Sequence, residues 1–284
     1  MKPAPFDYHR PATLDEALHL LAHHNGEARI LAGGQSLVPM MNLRLARPAV
    51  LVDINRIPGL DYHRRDGDVL RIGALARHAT LAASALVRSS APLMAEAYLH
   101  VAHAAVRNRG TLAGNLAHAD PASEMPAVLL ALEGSFTLRS VRGERTLPAA
   151  DFFVGPFSTR AAPDEMLIEV QVPVRRQGVG FEEMAIRHGD LAVALVASAI
   201  SVQGGRIASA ALAYAGVGAH ALRVPAAEAI LVGQMPSAEL FARAAEVAAA
   251  AIDVASDPNA DAEYRRDLIR CLTPRALQRA AATA

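Results

Sequence analysis

Ala32-Gly33-Gly34-Gln35-Ser36-Leu37-Val38-Pro39 follows a short apolar run at residues 28–31 and precedes a helical piece expected at 40–45. Val50-Leu51-Val52-Asp53-Ile54 then reads as a second strand. Strand, glycine loop, helix and strand make a βαβ unit, which implies parallel pairing. Glycine lets a ligand approach the backbone, and free N–H groups entering a helix suit a pyrophosphate, with Gln35 and Ser36 as added donors. By itself the same dipeptide also fits a tight turn in which glycine only relieves strain. The loop has neither the G-x-G-x-x-G spacing nor a Lys-Ser/Thr ending, so nucleotide hydrolysis has no support.

A second stretch of the same character is Thr111-Leu112-Ala113-Gly114-Asn115, running on through His118-Ala119-Asp120-Pro121-Ala122-Ser123-Glu124. It reads as a loop offering a hydroxyl, an amide and close backbone approach. A helix is expected over 122–132, with Asp120 and Glu124 one turn apart around Pro121. A carboxylate there suits ribose or ribityl hydroxyls; it also suits an ordinary acidic first turn. Arg107 and Arg109 could face phosphate or simply point to solvent.

The rest of the chain supplies a frame. Thr13 with Glu16 forms a capping box for a helix that Asn25-Gly26 stops. Beyond Pro58-Gly59 the spacing predicts a hairpin around Asp66-Gly67 and another around Arg142-Gly143, with a strand at 166–172. Helices are expected over 80–87 and 92–104. Residues 58–175 thus read as an α+β unit with mostly antiparallel strands. Arg175-Arg176-Gln177-Gly178 is the boundary candidate. Strands at 180–186, 192–202 and 206–215 follow, then alanine-rich helices at 226–231, 237–251, 262–270 and 275–282.

The totals narrow the function. The 284 residues carry 28 basic and 28 acidic side chains, are 52% hydrophobic and contain no Trp. A zero balance with scarce aromatics gives no footprint for nucleic acid. The lone Cys271 cannot form an internal disulfide or hold an iron–sulfur cluster, and is expected to be buried or half-buried. No apolar run is long enough to span a bilayer and the N-terminus lacks a signal-peptide core, so the chain is expected to be cytoplasmic.

Taken together, residues 32–39 and Arg109-Gly110-Thr111-Leu112-Ala113-Gly114-Asn115-Leu116-Ala117 resemble the two FAD-binding signatures of the molybdenum hydroxylases. The match is to their separate medium subunit, as in carbon monoxide dehydrogenase, and to the middle domain of xanthine dehydrogenase. It extends to Phe6-Asp7-Tyr8, Val52-Asp53-Ile54, Glu165-Met166-Leu167 and Arg187-His188-Gly189-Asp190-Leu191-Ala192. The resemblance implies an α+β chain: a two-part FAD-binding domain of the vanillyl-alcohol-oxidase (PCMH) type over 1–176, with subdomains of about 1–57 and 58–176. A C-terminal domain over 177–284 would pack a three-stranded antiparallel sheet against helices.

Carried across, the resemblance implies that Ala32, Gly33, Gly34, Gln35, Ser36 and Leu37 hold the pyrophosphate. Thr111, Ala113, Gly114 and Asn115 would hold the phosphate and ribityl region. Glu124 stands where the family usually has Asp, Leu167 matches a backbone contact near the flavin, and Val101 and Leu191 match positions beside the ring. An aliphatic Leu191 is more like xanthine dehydrogenase than the tyrosine of carbon monoxide dehydrogenase. Ala113 replaces a common glycine, and Glu182 and Glu183 fall where relatives place a lysine, so a positive charge beside the flavin is either missing or supplied by Arg187.

The implied function is an electron-transfer flavoprotein. Its partners would be a molybdopterin-binding large subunit and a [2Fe-2S] small subunit, in a dimer of heterotrimers, with an external acceptor such as a quinone or NAD. Peripheral attachment at the inner membrane face is compatible with this. The alternative is a self-contained flavin reductase or oxidase, which needs a proton donor beside the flavin; His118, Asp120 and His188 are the available groups. A scaffold that has lost the flavin would not need its glycine loops.

Overall fold

The computed structural model describes all residues, 1–284. The first βαβ reading holds. Strands Asp7–His9, Val50–Asp53 and Ala28–Leu31 form a parallel sheet with Val50–Asp53 in the centre. Helix Leu14–His24 covers it: Thr13 caps the start, and Asn25, at φ 32°, ends it in the left-handed region. Its Ala17, Leu18 and Leu21 are buried, each leucine contributing about 1.5–3 kcal/mol. Asp7–His9 escapes sequence reading because this edge strand is mostly exposed and shows no apolar alternation.

A five-stranded antiparallel sheet follows, in the order His63–Asp66, Val69–Gly73, Met166–Pro173, Ser135–Ser140, Gly143–Pro148. Both glycine-turn hairpins are present, and Met166–Pro173 joins them. The helices between differ from expectation. The first divides into His78–Ala83 and Ala85–Ser90 because Ser84 turns extended and its hydroxyl accepts from Val87 N at 3.2 Å. The next stops at Ala97, and Ala102 takes φ 46°. Arg107 satisfies the carbonyls of that turn, donating to Val101 O at 2.7 Å and to Ala102 O, so it has a structural task.

The C-terminal sheet runs Gly178–Ala185, Ala192–Gln203, Arg206–Ala215 as an antiparallel meander. The expected three strands gain a two-residue fourth, Leu222–Arg223, on the open edge. Both faces are covered. Val179, Phe181, Leu195 and Ala197 pack into the core of the preceding unit, while Val196, Ile200, Leu212 and Tyr214 pack under the terminal helices. Two-sided burial explains why residues 192–200 are all buried and, apart from Ser198, apolar.

Helices Pro225–Leu231, Ala238–Ala251 and Ala262–Thr283 cover the outer face. The last was expected as two pieces, yet it runs through Pro274. Proline removes a single donor, and burial of Leu272, Thr273, Ala276 and Leu277 on either side outweighs that loss. The helix lies directly on the strand Gly178–Ala185. A Cβ at Gly178 or Gly180 would overlap the carbonyl oxygens of Ala280 and Ala276. The fully buried Ser198 hydroxyl links the layers, bonding Gly180 O at 3.1 Å and Ala276 O at 3.0 Å. Cys271 is exposed, contrary to expectation, because it falls on the outer face of this helix.

Candidate FAD site

The strand Ala28–Leu31 delivers Ala32 and Gly33 to the edge of the parallel sheet, and Gly34, at φ 72°, turns the chain into helix Leu37–Asn42. Gln35 Nε2 donates to Gly33 O at 3.0 Å, which closes the turn on itself. The N–H groups of Gly34, Gln35, Ser36 and Leu37 donate to no other group of the protein. Ser36 leads the helix without capping it, so its hydroxyl is also free.

The second stretch is not a loop. Thr111 is the N-cap of helix Leu112–His118, and its Oγ1 accepts from Gly114 N at 3.1 Å. Gly114 and Asn115 suggested a loop, but the threonine cap and the buried Leu112, Ala113 and Leu116 decide for helix. Asn115 Nδ2 donates to Ser123 Oγ at 2.7 Å, while its Oδ1 is buried without a partner. Asp120 Oδ1 accepts from Ala122 N at 2.9 Å, which delays the next helix until Glu124–Ala131. We expect Thr111→Ala to destabilise the protein by about 1 kcal/mol, measured as a lower urea midpoint with an unchanged slope.

The two stretches touch. A Cβ on Gly33 would sit 2.7 Å from Gly110 Cα and overlap the Arg109 carbonyl. Arg77 holds the contact, donating to Arg109 O and, at 2.6 Å, to Asn55 Oδ1. Asn55 Nδ2 in turn donates to Ala32 O at 2.8 Å. His78 N donates to Gly110 O at 3.0 Å. Sequence reasoning missed Arg77 and Asn55, for neither carries a local signal.

Between the stretches lies a cavity of about 1100 Å³, at the upper end of the roughly 300–1,000 Å³ usual for small-molecule sites. All fourteen residues singled out from sequence line it: Ala32, Gly33, Gly34, Gln35, Ser36, Leu37, Val101, Thr111, Ala113, Gly114, Asn115, Glu124, Leu167 and Leu191. A register shift between Leu167 and Glu169 bends the strand where Leu167 meets the cavity. Leu191 is exposed at the mouth, whereas Val101 is buried in the wall.

Further lining residues include Arg29, Arg47 and Phe157, which sequence reasoning did not select. Phe157 stands at φ 52° with its ring 5.1 Å from that of His118. Of the three candidate proton donors only His118 lines the cavity; burial lowers its pKa. Asp120 is spent on its turn, and His188 is exposed. Arg187 is exposed too and does not line the cavity, so it adds no positive charge there. Glu124 is 3% exposed. Burial pushes its carboxyl up to about 7, and the charge of Asp120 adds to the shift.

The site fits a dinucleotide on its own evidence: four successive unpaired N–H groups, a buried unpartnered amide oxygen, and a large cavity with a mixed polar and apolar lining. The comparisons with known proteins agree. Residues 4–175 match the FAD binding domain in molybdopterin dehydrogenase, and residues 180–280 match the CO dehydrogenase flavoprotein C-terminal domain. The chain is 42% identical over 282 residues to the nicotine 6-hydroxylase medium subunit of Paenarthrobacter nicotinovorans, covering 99% of each. It is 43% identical over 284 residues to the caffeine dehydrogenase subunit beta of Pseudomonas sp. (strain CBB1), covering 99% of this chain and 96% of the relative. In structure it resembles the carbon monoxide dehydrogenase of Hydrogenophaga pseudoflava, with a TM-score of 0.97, 39% identity and full coverage of both chains.

The chain therefore belongs to the FAD-binding flavoprotein family of the molybdopterin dehydrogenases. It is an oxidoreductase subunit of the medium, FAD-carrying type. No helix is long and apolar enough to cross a membrane.

Proposed function

We propose that this chain passes electrons from the iron–sulfur clusters of a partner subunit through FAD to an external acceptor. A molybdopterin-binding large subunit oxidises the substrate, and a [2Fe-2S] small subunit relays the electrons. The acceptor is a quinone, NAD or a comparable carrier, and the assembly is a dimer of heterotrimers in the cytoplasm. The observation that carries this reading is the cavity, which brings the two cofactor-type stretches together. Bound flavin accepts electrons singly and holds two, which suits a relay between one-electron clusters and a two-electron acceptor.

In this reading residues 32–37 bind the pyrophosphate through their free N–H groups, and Thr111, Ala113, Gly114 and Asn115 bind the phosphate and ribityl region. Asn115 Oδ1 is the unpartnered acceptor for a ligand hydroxyl. Glu124 closes the polar end, while Val101, Leu167 and Leu191 exclude water from the ring. The chain divides near residue 176, with subdomains of about 1–57 and 58–176 before a C-terminal domain over 177–284. The aliphatic Leu191 weakens the case for a close equivalent of the carbon monoxide enzymes. Identities of 42% and 43% to nicotine and caffeine relatives, against 38% to a carbon monoxide dehydrogenase medium chain, support an organic heterocycle as the substrate of the complex.

Co-expression with the genomic neighbours tests the assignment. The expected result is a yellow-brown complex containing molybdopterin and iron–sulfur subunits, whose flavin is reduced only when both are present. Substrate-dependent turnover by the isolated chain would instead favour a self-contained reductase or oxidase.

A further inference from the structure

Side chains alternate along Gly178–Ala185, so Glu182 and Glu183 face opposite ways. Glu182 belongs to the face that carries Gly178 and Gly180, against the terminal helix, and it pairs with Arg279 at 3.4 Å. Arg279 also pairs with Glu96 at 3.2 Å, so each carboxylate on that side has a cationic partner. Glu183 shares the other face with Val179 and Phe181 and enters the core of the FAD-binding unit.

Glu183 finds no cation there. Its side chain is 2% exposed, and its Oε2 is buried with no hydrogen-bond partner. The nearest basic atom is His100 Nδ1, 3.9 Å from Oε1, which is outside hydrogen-bond range. His100 packs on Phe181, 5.1 Å between ring centres, and lies 6.1 Å from the exposed His188. Burial lowers the pKa of His100, and the charge of His188 lowers it further. On the cavity side stands Glu124, also buried, and the Tyr98 hydroxyl is buried nearby without a partner. Leu195, opposite Glu183 on the adjacent strand, contributes no charge. Burial pushes Glu183 up to about 8, and the charge of Glu124 contributes.

An isolated ionised carboxylate in such a place is strongly disfavoured, whereas a protonated one is tolerated. We propose that Glu183, buried against His100 with its Oε2 unpartnered, is a proton-holding site next to the stretch whose Val101 lines the same cavity as Glu124. The site takes up a proton from solvent when negative charge enters the cavity. The step is a simple transfer: a hydronium ion gives its proton to a carboxylate oxygen of Glu183 and is left as water. The coupling to cofactor rests on the FAD reading above; the holding of the proton does not.

The sign of the pH dependence follows. Folding raises both carboxyl pKa values, so the native chain holds more protons than the unfolded one between the ordinary carboxylate range and about pH 8. Stability contributed by these carboxyls is present at low pH and is lost as pH rises through that window. Bound FAD adds negative charge, raises Glu183 further, and must take up protons from the medium.

Three measurements on the full chain test this. Infrared titration without cofactor should show a buried protonated-carboxyl band at pH 7 that disappears in mildly alkaline solution and is reduced in Glu183→Gln. No such band in the wild type would overturn the proposal. The melting temperature of Glu183→Gln should match wild type at pH 6 and exceed it at pH 9; a pH-independent difference would assign Glu183 a purely structural role. Calorimetry of FAD binding in two buffers of different ionisation enthalpy should show net proton uptake. Affinity should then weaken by up to about tenfold per pH unit for one linked proton, with a smaller slope in Glu183→Gln. Binding without proton uptake refutes the coupling. Failure of the wild-type chain to bind FAD at any pH contradicts the cofactor reading, and the infrared and melting results still decide whether Glu183 holds a proton.

Discussion

Gly33→Val is expected to abolish stoichiometric FAD binding while leaving a folded chain. A side chain at this position meets backbone, the Arg109 carbonyl and Gly110 Cα, and backbone cannot rotate aside. The two cofactor stretches must separate, and the hydrogen bonds of Arg77 to both sides must stretch or break. Overpacking of this kind costs about 1–3 kcal/mol. At the upper end, set by the rigid neighbour, affinity falls by about 100-fold. Gly114→Val is milder, because its only close neighbour is Thr111 Oγ1 at 2.8 Å. Its cost is a weakened helix cap of about 1 kcal/mol, or roughly fivefold in affinity. Flavin absorbance per chain after gel filtration, with circular dichroism as the control for folding, reads both. A Gly33→Val chain that keeps full flavin would contradict the joined-loop geometry.

Gly180→Val should be the most damaging change in the C-terminal unit. The added branches overlap Ala276 O, lift the helix Ala262–Thr283 from its strand and crowd Ser198 Oγ at 3.1 Å. Ser198 then loses bonds to Gly180 O and Ala276 O inside a fully buried layer. A buried polar group left without a partner costs about 1–3 kcal/mol, and the overpacking adds a similar amount. The expected loss is about 3–5 kcal/mol, read from urea unfolding. A loss below about 1 kcal/mol would mean that the helix adjusts its seat freely.

Much of the frame was legible because its signals are local. The Thr13 cap, the Asp-Gly and Arg-Gly hairpins and the glycine turn at 33–34 each act within a few residues. The fourteen cavity residues were legible through family resemblance, since Val101, Leu167 and Leu191 carry no chemical signal of their own. What escaped depends on distant parts of the chain. Helix Leu112–His118 wins over a loop through burial of its apolar face, and Pro274 is carried by packing on both sides. Arg77 and Asn55 acquire their task only when strand ends 22 residues apart are brought together. Glu183 stood out in the sequence only as an acid where relatives place a lysine, and only the three-dimensional neighbourhood shows that nothing answers its charge.

The Asn55–Arg77 link has a consequence for how the protein is made and kept. It spans both halves of the cradle without help from a ligand, so the arriving cofactor meets a socket already set to size and has little chain to bring to order. Capture is then governed by encounter and desolvation. On heating, flavin is expected to leave once the Arg77 bonds to Arg109 O and Asn55 Oδ1 break, ahead of the general collapse of the fold, which flavin fluorescence followed alongside circular dichroism would show.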